Sequence, residues 1–470
     1  MKRVKSVLVS ALALLMAVST FAGCKSSTSS SSAASGSSSS SASSASSAPS
    51  VKEIYFLNFK PEIAKQYAAV ADTYKQKTGV TVKVVTAASG TYEQTLKSEV
   101  AKSDPPTIFQ INGPVGYQNW KDYCADLSNT KLYSYLTAKD LAVKSGSGVY
   151  GIPYAIEGYG IIYNNAIMKK YFALSNKKTS VSSVDQIKDF NTLKSVVEDM
   201  TANKSALGIK GVFASTSLKS GEDWRWQTHL ADIPFYYEFK DLNANQSTIT
   251  TGLAQNTVQF KYAQNFKNIF DLYLNNSTTS PKLLGSKSVD DSMSEFALGQ
   301  CAMVQNGDWA WSQISGVKGN VVQSSDVAFM PIYTGMSDDS KQGICIGTEN
   351  YFAINSKVSQ AEQQASEDFL DWLFSSPEGK KYVTNDLGFI APFNTFSDSD
   401  MPTDPLAKDV LKWQSNTNVT NVAWTFASFP SQNFKNTFGA ALLQYAQGNE
   451  GWDKVVSTVK DSWKTEKANS

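Results

Sequence analysis

The sequence predicts an α/β protein built of more than one lobe. Short β-branched and aromatic runs alternate with helically spaced apolar residues from residue 53 onward, and 470 residues exceed what one hydrophobic core usually organises. Downstream of residue 23 no apolar run approaches the roughly 18 residues of a membrane span, so nothing competes with a globular reading of the body.

Glu53 to Phe59 (EIYFLNF) reads as the first strand, dense in Ile, Tyr and Phe and broken by Lys60-Pro61. Ile63, Tyr67, Val70 and Tyr74 then recur at helical spacing, with Pro61 near the start and Gly79 past the end. A β-branched run at Val80 to Val85, a helical stretch holding Leu96 and Val100, and a strand at Thr107 to Ile111 (TIFQI) complete a βαβαβ pattern. Such alternation predicts a parallel sheet covered on both faces, with ligands bound beyond the carboxyl ends of its strands. Those ends carry Asn58, Lys60 and Glu62 after the first strand and Asn112 after the third. The competing reading is turn chemistry, since Asn112-Gly113-Pro114 is also a plain turn signal.

Later elements are helical. Ser359-x-x-Glu362 forms a capping box ahead of Ala365, Phe369, Trp372 and Leu373, and Ser376-Pro377 opens another helix. Phe434, Phe438, Leu442 and Tyr445 share one face of a helix stopped by Gly448, and Trp452, Val455, Val459 and Trp463 mark the last.

Lys and Arg number 43 against 42 Asp and Glu, a formal charge of +1, which argues against a nucleic-acid partner because phosphate binding needs a clustered surplus of cations. The single histidine, His229, cannot make a two-histidine zinc site and would have to serve alone in any histidine-assisted nucleophile system. No phosphate loop, nucleophile elbow, calcium loop or zinc spacing occurs, so neither cofactor nor metal is expected. Hydrolysis by paired carboxylates needs no histidine and stays open.

Lys2, Arg3 and Lys5 precede an apolar run from Val7 to Val18, the pattern of a secretory signal. The run ends at Phe21-Ala22-Gly23-Cys24, which resembles the bacterial lipobox, in which the Cys is lipidated and becomes the new N-terminus; Phe21 stands where that motif prefers Leu. Ordinary signal-peptidase cleavage with Cys24 a bystander is the competing reading. Residues 25–50 are almost only Ser, Ala, Thr and Gly, too polar to offset the entropy of ordering, and read as a disordered tether. Residues 1–23 hold three cations and no acid, so without them the charge is −2, and the body from Val51 onward, lacking Lys25 as well, carries −3. Its cysteines, Cys124, Cys301 and Cys345, are odd in number and read as small buried hydrophobes, with a Cys301–Cys345 disulfide as an alternative.

Several segments place aromatic rings beside Asn, Asp and Glu. Tyr150 to Gly160 offers Glu157 and Tyr159 between small residues; Gln305 to Trp311 holds Asn306, Asp308, Trp309 and Trp311; Gly347 to Tyr351 holds Glu349; and Trp224-Arg225-Trp226 lies near His229. A sugar suits this chemistry: its C–H face packs on an indole, and its hydroxyl belt needs carboxylate, amide and guanidinium partners. Trp311 fits a core role better than a ligand role.

The segment Glu295 to Trp311 (EFALGQCAMVQNGDWAW) resembles a signature of extracellular solute-binding proteins of the maltose-binding type, with Cys301 where that family usually has Ala. Tyr150 to Asn164 is similar to the family's first crossover between lobes, and Asp368 to Gly379 resembles its later helix pair. The resemblance implies a two-lobe periplasmic-binding-protein-like fold of class II with the ligand between lobes: residues 51–157 and 331–386 in the first lobe, 158–330 and 387–470 in the second. It puts Trp309 in the stacking position, Glu157 and Tyr159 where crossover meets cleft, and Asn58, Lys60, Glu62 and Asn112 along the first lobe's edge. Trp224, Arg225 and His229 are added from composition alone. Asn58 to Glu62 looks like the run in binding proteins for raffinose-type and other α-1,6-linked oligosaccharides.

The implied function is a monomeric, lipid-anchored extracellular receptor, held to the membrane by its lipid only, that binds an oligosaccharide and delivers it to ABC transporter permease subunits. Two rivals remain: an extracellular glycoside hydrolase drawing two carboxylates from Glu62, Glu157, Asp308 and Glu349, and a peptide or polyamine receptor on the same scaffold.

Overall fold

A computed structural model describes residues 51–88 and 90–469. The signal segment, Cys24 and the serine-rich tether lie outside the described residues.

The anticipated βαβαβ unit opens the body. Strand β1 (Glu53–Asn58), helix α1 (Ala64–Thr78), β2 (Thr81–Thr86), α2 (Tyr92–Glu99) and β3 (Ile108–Asn112) follow in order, with β1 parallel to both β2 and β3. Pro61 opens a 3₁₀ turn ahead of α1, and Gly79 ends α1 at φ 79°, a left-handed position that costs glycine nothing. Helix α3 (Gly113–Trp120) starts directly from β3.

This first sheet is mixed, not wholly parallel as the alternation suggested. With β4 (Val143–Ser145), β5 (Gly148–Pro153) and a late strand, β10 (Asn350–Ile354), its order is β2-β1-β3-β10-β5-β4, and β10 runs antiparallel to β3 and β5. The chain leaves the sheet after β5 and returns two hundred residues later from the other side, which reverses the direction of the inserted strand.

The second sheet is centred on β6 (Glu157–Asn164), which pairs antiparallel with β7 (Met303–Gly307), β8 (Val327–Met330) and β9 (Gln342–Gly347); β11 (Thr420–Ala423) pairs parallel with β9. The order is β11-β9-β6-β7, with β8 beside the far half of β6. Because β9 sits in this sheet, the return to the first lobe falls between Gly347 and Asn350, not at residue 331 as the resemblance implied. Leu387, Phe389 and Phe393 pack in the first sheet's core, so the last crossing also comes later than residue 387.

Three chain crossings join the sheets. The first follows Pro153 and the second follows Gly347; the third is held to the first where the Ile156 N–H donates to the Ile390 carbonyl at 2.8 Å. Each sheet has its own core. Phe56, Tyr67, Phe352 and Phe374 lie in that of the first, and Trp226, Phe266, Phe438 and Trp463 in that of the second. The capping box at Ser359 and Glu362 forms as expected and starts the helix Gln360–Ser375. Cys124, Cys301 and Cys345 are all buried free thiols, so the alternative of a Cys301–Cys345 disulfide is not realised. Among the described residues no helix is long and apolar enough to cross a membrane.

Candidate functional site

Between the two sheets lies a cavity of about 460 Å³, walled from one side by Phe59 to Glu62, Glu93, Asn112 and Glu349 and from the other by Glu222 to Arg225, Trp309 and Lys435. Its first wall is made from the carboxyl ends of β1 and β3, where an α/β sheet presents its loops. A second chamber of about 380 Å³ adjoins it, sharing Lys60, Glu62 and Trp309 and adding Glu157, Asp308 and Trp311.

Lys60 sits at the junction. Its ammonium lies 2.6 Å from Glu157 Oε1 and 3.8 Å from Glu62 Oε1, and 5.2 Å from the centre of the Trp309 ring. Burial alone would discharge this lysine, but the charges of Glu157 and Glu62 outweigh it and hold the proton more firmly than in water. Asn58 makes this turn and does not meet the cavity. Its Nδ2 donates to the Lys60 carbonyl at 2.8 Å and to Thr86 Oγ1 at 3.1 Å, and its Oδ1 accepts from the Lys60 N–H, leaving a fully buried amide with its capacity used locally.

The segment after β7 supplies the opposite wall. A Cβ at Gly307 would overlap the Trp309 ring, so the absence of a side chain there lets the indole lie against the backbone. Asp308 Oδ1 accepts from the Gly158 N–H at 2.9 Å. Asn306 is fully buried behind the wall, where Oδ1 accepts from Arg225 Nε at 3.2 Å and from the Gly307 N–H at 3.0 Å. Tyr159 is likewise fully buried, its hydroxyl directed at the Arg225 carbonyl at 3.4 Å. Asn58, Tyr159 and Asn306 therefore shape the wall from the second layer, whereas Lys60, Glu62, Asn112, Glu157, Trp224, Asp308, Trp309 and Glu349 border the two chambers.

Trp224 and Arg225 lead into a turn of π-helix, Arg225–Leu230, a local widening often found at functional sites. The guanidinium lies 3.9 Å from the Trp224 ring centre, and its Nη1 is buried with no protein partner; Gln227 Oε1 and Gln313 Oε1 are in the same state. All three residues line the main chamber. Buried polar atoms without partners are costly, and three on one cavity wall are the groups a polar ligand would satisfy. His229, which composition placed in the cleft, does not line it. It is enclosed by Tyr159, Trp224, Trp309, Trp424 and Phe426, with ring centres 4.7 to 5.7 Å away, and burial holds it neutral. Trp311, read as core, is half-buried and borders the second chamber while also packing on the core beneath.

Glu93, Gln227, Gln313 and Lys435 also reach the cavity and were not singled out by sequence. Lys435 belongs to the first turn of the helix Gln432–Ala446, whose sequence signal was its apolar face, and nothing local marks the lysine on the other side. Glu93 accepts from Trp120 Nε1 at 2.9 Å.

Burial raises the Glu349 carboxyl from 4.5 to about 7, with Lys435 opposing and Glu157 adding to the shift. A carboxyl whose folded pKa exceeds its unfolded value stabilises the fold at low pH, and that contribution is lost as pH rises from 4.5 to about 7. Glu349→Gln is expected to flatten the pH dependence of urea unfolding across this window; an unchanged profile would show that Glu349 is solvated as in the unfolded chain.

Two α/β sheets joined by three crossings, with a polar and aromatic cleft between them, define the architecture of a solute receptor. The chain belongs to the bacterial extracellular solute-binding protein family, whose profile matches residues 69–412. Solved structures share the fold. A chitin oligosaccharide binding protein superposes with TM-score 0.67 at 16% identity, covering 89% of this chain and 99% of its own. A Bacillus licheniformis sugar transporter protein in complex with stachyose gives 0.66 at 14%, covering 88% and 100%. RafE in complex with raffinose gives 0.65 at 16%, covering 88% and 99%. No curated protein sequence matches the chain.

Proposed function

We propose that this protein is a lipid-anchored extracellular receptor that binds an oligosaccharide between its lobes and delivers it to an ABC-type permease. The observation that carries the sugar reading is the wall of the main chamber. There the indole of Trp309 stands beside a guanidinium nitrogen and two amide oxygens, all buried and all without protein partners. A ring with an apolar face and a belt of hydroxyls answers both demands at once. The chitin oligosaccharide binding protein, RafE with raffinose and the stachyose complex, which share the fold, support the same class of ligand. Cys24, followed by the serine-rich segment, supports the anchor and tether. In this reading the first lobe comprises 51–156 and roughly 348–400, and the remainder forms the second.

The hydrolase alternative is weaker because Glu157, the carboxylate best placed by the crossover, is committed to Lys60 at 2.6 Å. Calorimetric titration with raffinose and malto-oligosaccharides, combined with product analysis, separates the readings. Saturable binding with no released monosaccharide is expected; steady turnover would overturn the receptor.

Capture requires the lobes to close, and a ligand touching both favours the closed form. The two sides meet at Gly90 and Gly221, which also line the cavity and both stand at positive φ; a Cβ on Gly90 would come within 2.6 Å of the Gly221 backbone. Gly90→Ala should hold the lobes apart and weaken oligosaccharide affinity about fivefold, about 1 kcal/mol. Small-angle scattering with saturating sugar should show a larger radius than the parent; equal radii and equal affinity would remove this contact from the closing step.

A further inference from the structure

We propose, resting on the saccharide-receptor reading above, that the chamber beyond Trp309 takes a protonated amino group of the ligand, so that the preferred solute is an oligosaccharide bearing at least one unacetylated amine. The chamber, at about 380 Å³, falls within the size range of small-molecule sites. Five carboxylates border it, from Glu62, Glu157, Asp308, Asp386 and Asp404, against the single ammonium of Lys60. That ammonium is already taken by Glu157 and Glu62. Asp308, Asp386 and Asp404 form no ion pair among the described residues.

A second observation is independent of the count. Asp308 is only 5% exposed, and it spends one oxygen on the Gly158 N–H while Oδ2 has no donor from the described residues. Asp404, partly buried, has a like arrangement: Oδ1 accepts from the N–H groups of Leu406 and Ala407, at 2.8 and 3.0 Å, and Oδ2 has no donor from the described residues. Burial lifts both carboxyls, Asp404 to about 6, and for Asp308 the charge of Glu157 adds to the effect. A desolvated carboxylate gains more than any other group from an arriving cation, because its charged form is the one the empty chamber penalises.

The shape of the arriving cation follows from what surrounds these groups. No three Asp, Glu, Cys or His side chains among the described residues converge as metal ligands, so the carboxylates are too dispersed for one ion. Trp309 and Trp311 border the same space, and Lys60 already stands over the Trp309 ring, showing that this indole face accepts an ammonium. A polyamine would satisfy the second chamber but would meet Arg225 and Lys435 in the first, where the unpaired groups are a guanidinium donor and two amide acceptors suited to hydroxyls. One solute fits both: hydroxylated rings in the first chamber and a single amine in the second.

The test is calorimetry of the full chain with cellobiose, N,N′-diacetylchitobiose and its free diamine, which differ only in the C2 substituent, together with raffinose and spermidine. The diamine should bind at least tenfold tighter than the other two β-linked disaccharides. Asp404→Asn should cut that ratio below threefold; asparagine caps a helix as well as aspartate, so the fold survives the change. If cellobiose, the diacetyl form or raffinose binds as tightly as the diamine, the amine site is wrong and the sugar receptor stands. Binding of spermidine alone, or of no saccharide at all, overturns both.

Discussion

Trp309→Ala is expected to weaken binding of any oligosaccharide by at least tenfold, about 1.4 kcal/mol. The indole is the one aromatic surface shared by the two chambers, and it is packed from behind. Gly307 beneath it has no Cβ to push it away, and the rings of Trp224, His229 and Trp424 stand 5.7 to 6.3 Å from its centre. A ring so fixed loses little entropy when a sugar stacks on it, so most of the contact energy appears as affinity. Trp309→Phe keeps a smaller face and should lose less. Because truncation also opens a void, the unfolding midpoint and calorimetric affinity must be read separately. A tenfold loss should persist under conditions where the variant is fully folded, and unchanged affinity would take Trp309 out of the site.

The first lobe was legible because its strands announce themselves. β1, β2 and β3 each lie within one residue of the segments expected from β-branched and aromatic runs, and Lys60, Glu62 and Asn112 stand at strand ends that border the cavity. The depth of a residue was not legible. Asn58 and Lys60 are two apart, yet the first is consumed by the turn it makes and only the second reaches the cavity. Asn306 and Asp308 behave the same way at the end of β7: one braces Arg225 from behind, the other borders the second chamber. Local pattern locates a strand end but not which layer each side chain occupies, since that depends on the partner strand's register. Direction was equally hidden for β10, whose antiparallel insertion is decided by a crossing two hundred residues away. Lys435 meets the cavity only through docking of a distant helix, whereas Gln313 stands one helical turn after Trp309 and was within reach of that spacing.

Lys60→Met carries the largest expected loss of stability, about 3 to 5 kcal/mol. Lys60 and Glu157 are 6% and 4% exposed, and the ammonium also stands 3.8 Å from Glu62. Methionine keeps most of the stem's packing but leaves two neighbouring carboxylates without the cation between them, and an uncompensated buried charge costs far more than the pair itself contributes. In the native protein Lys60 gives no pH dependence in the neutral range. The folded state raises the lysine pKa above its ordinary 10.5, so its contribution is complete below that value and fades only in strong alkali. The variant should behave differently. With Lys60 gone, neutralising Glu157 relieves the penalty, so the deficit should shrink on acidification and grow as pH rises through the carboxylate range. Lys60→Met combined with Glu157→Gln should recover most of the lost stability, because both charges are then absent together. Urea unfolding of the four proteins of this cycle at acid and neutral pH measures the coupling directly. A deficit that ignores pH, or that Glu157→Gln fails to repair, would mean water reaches Glu157 and that Lys60 serves the cleft by position alone.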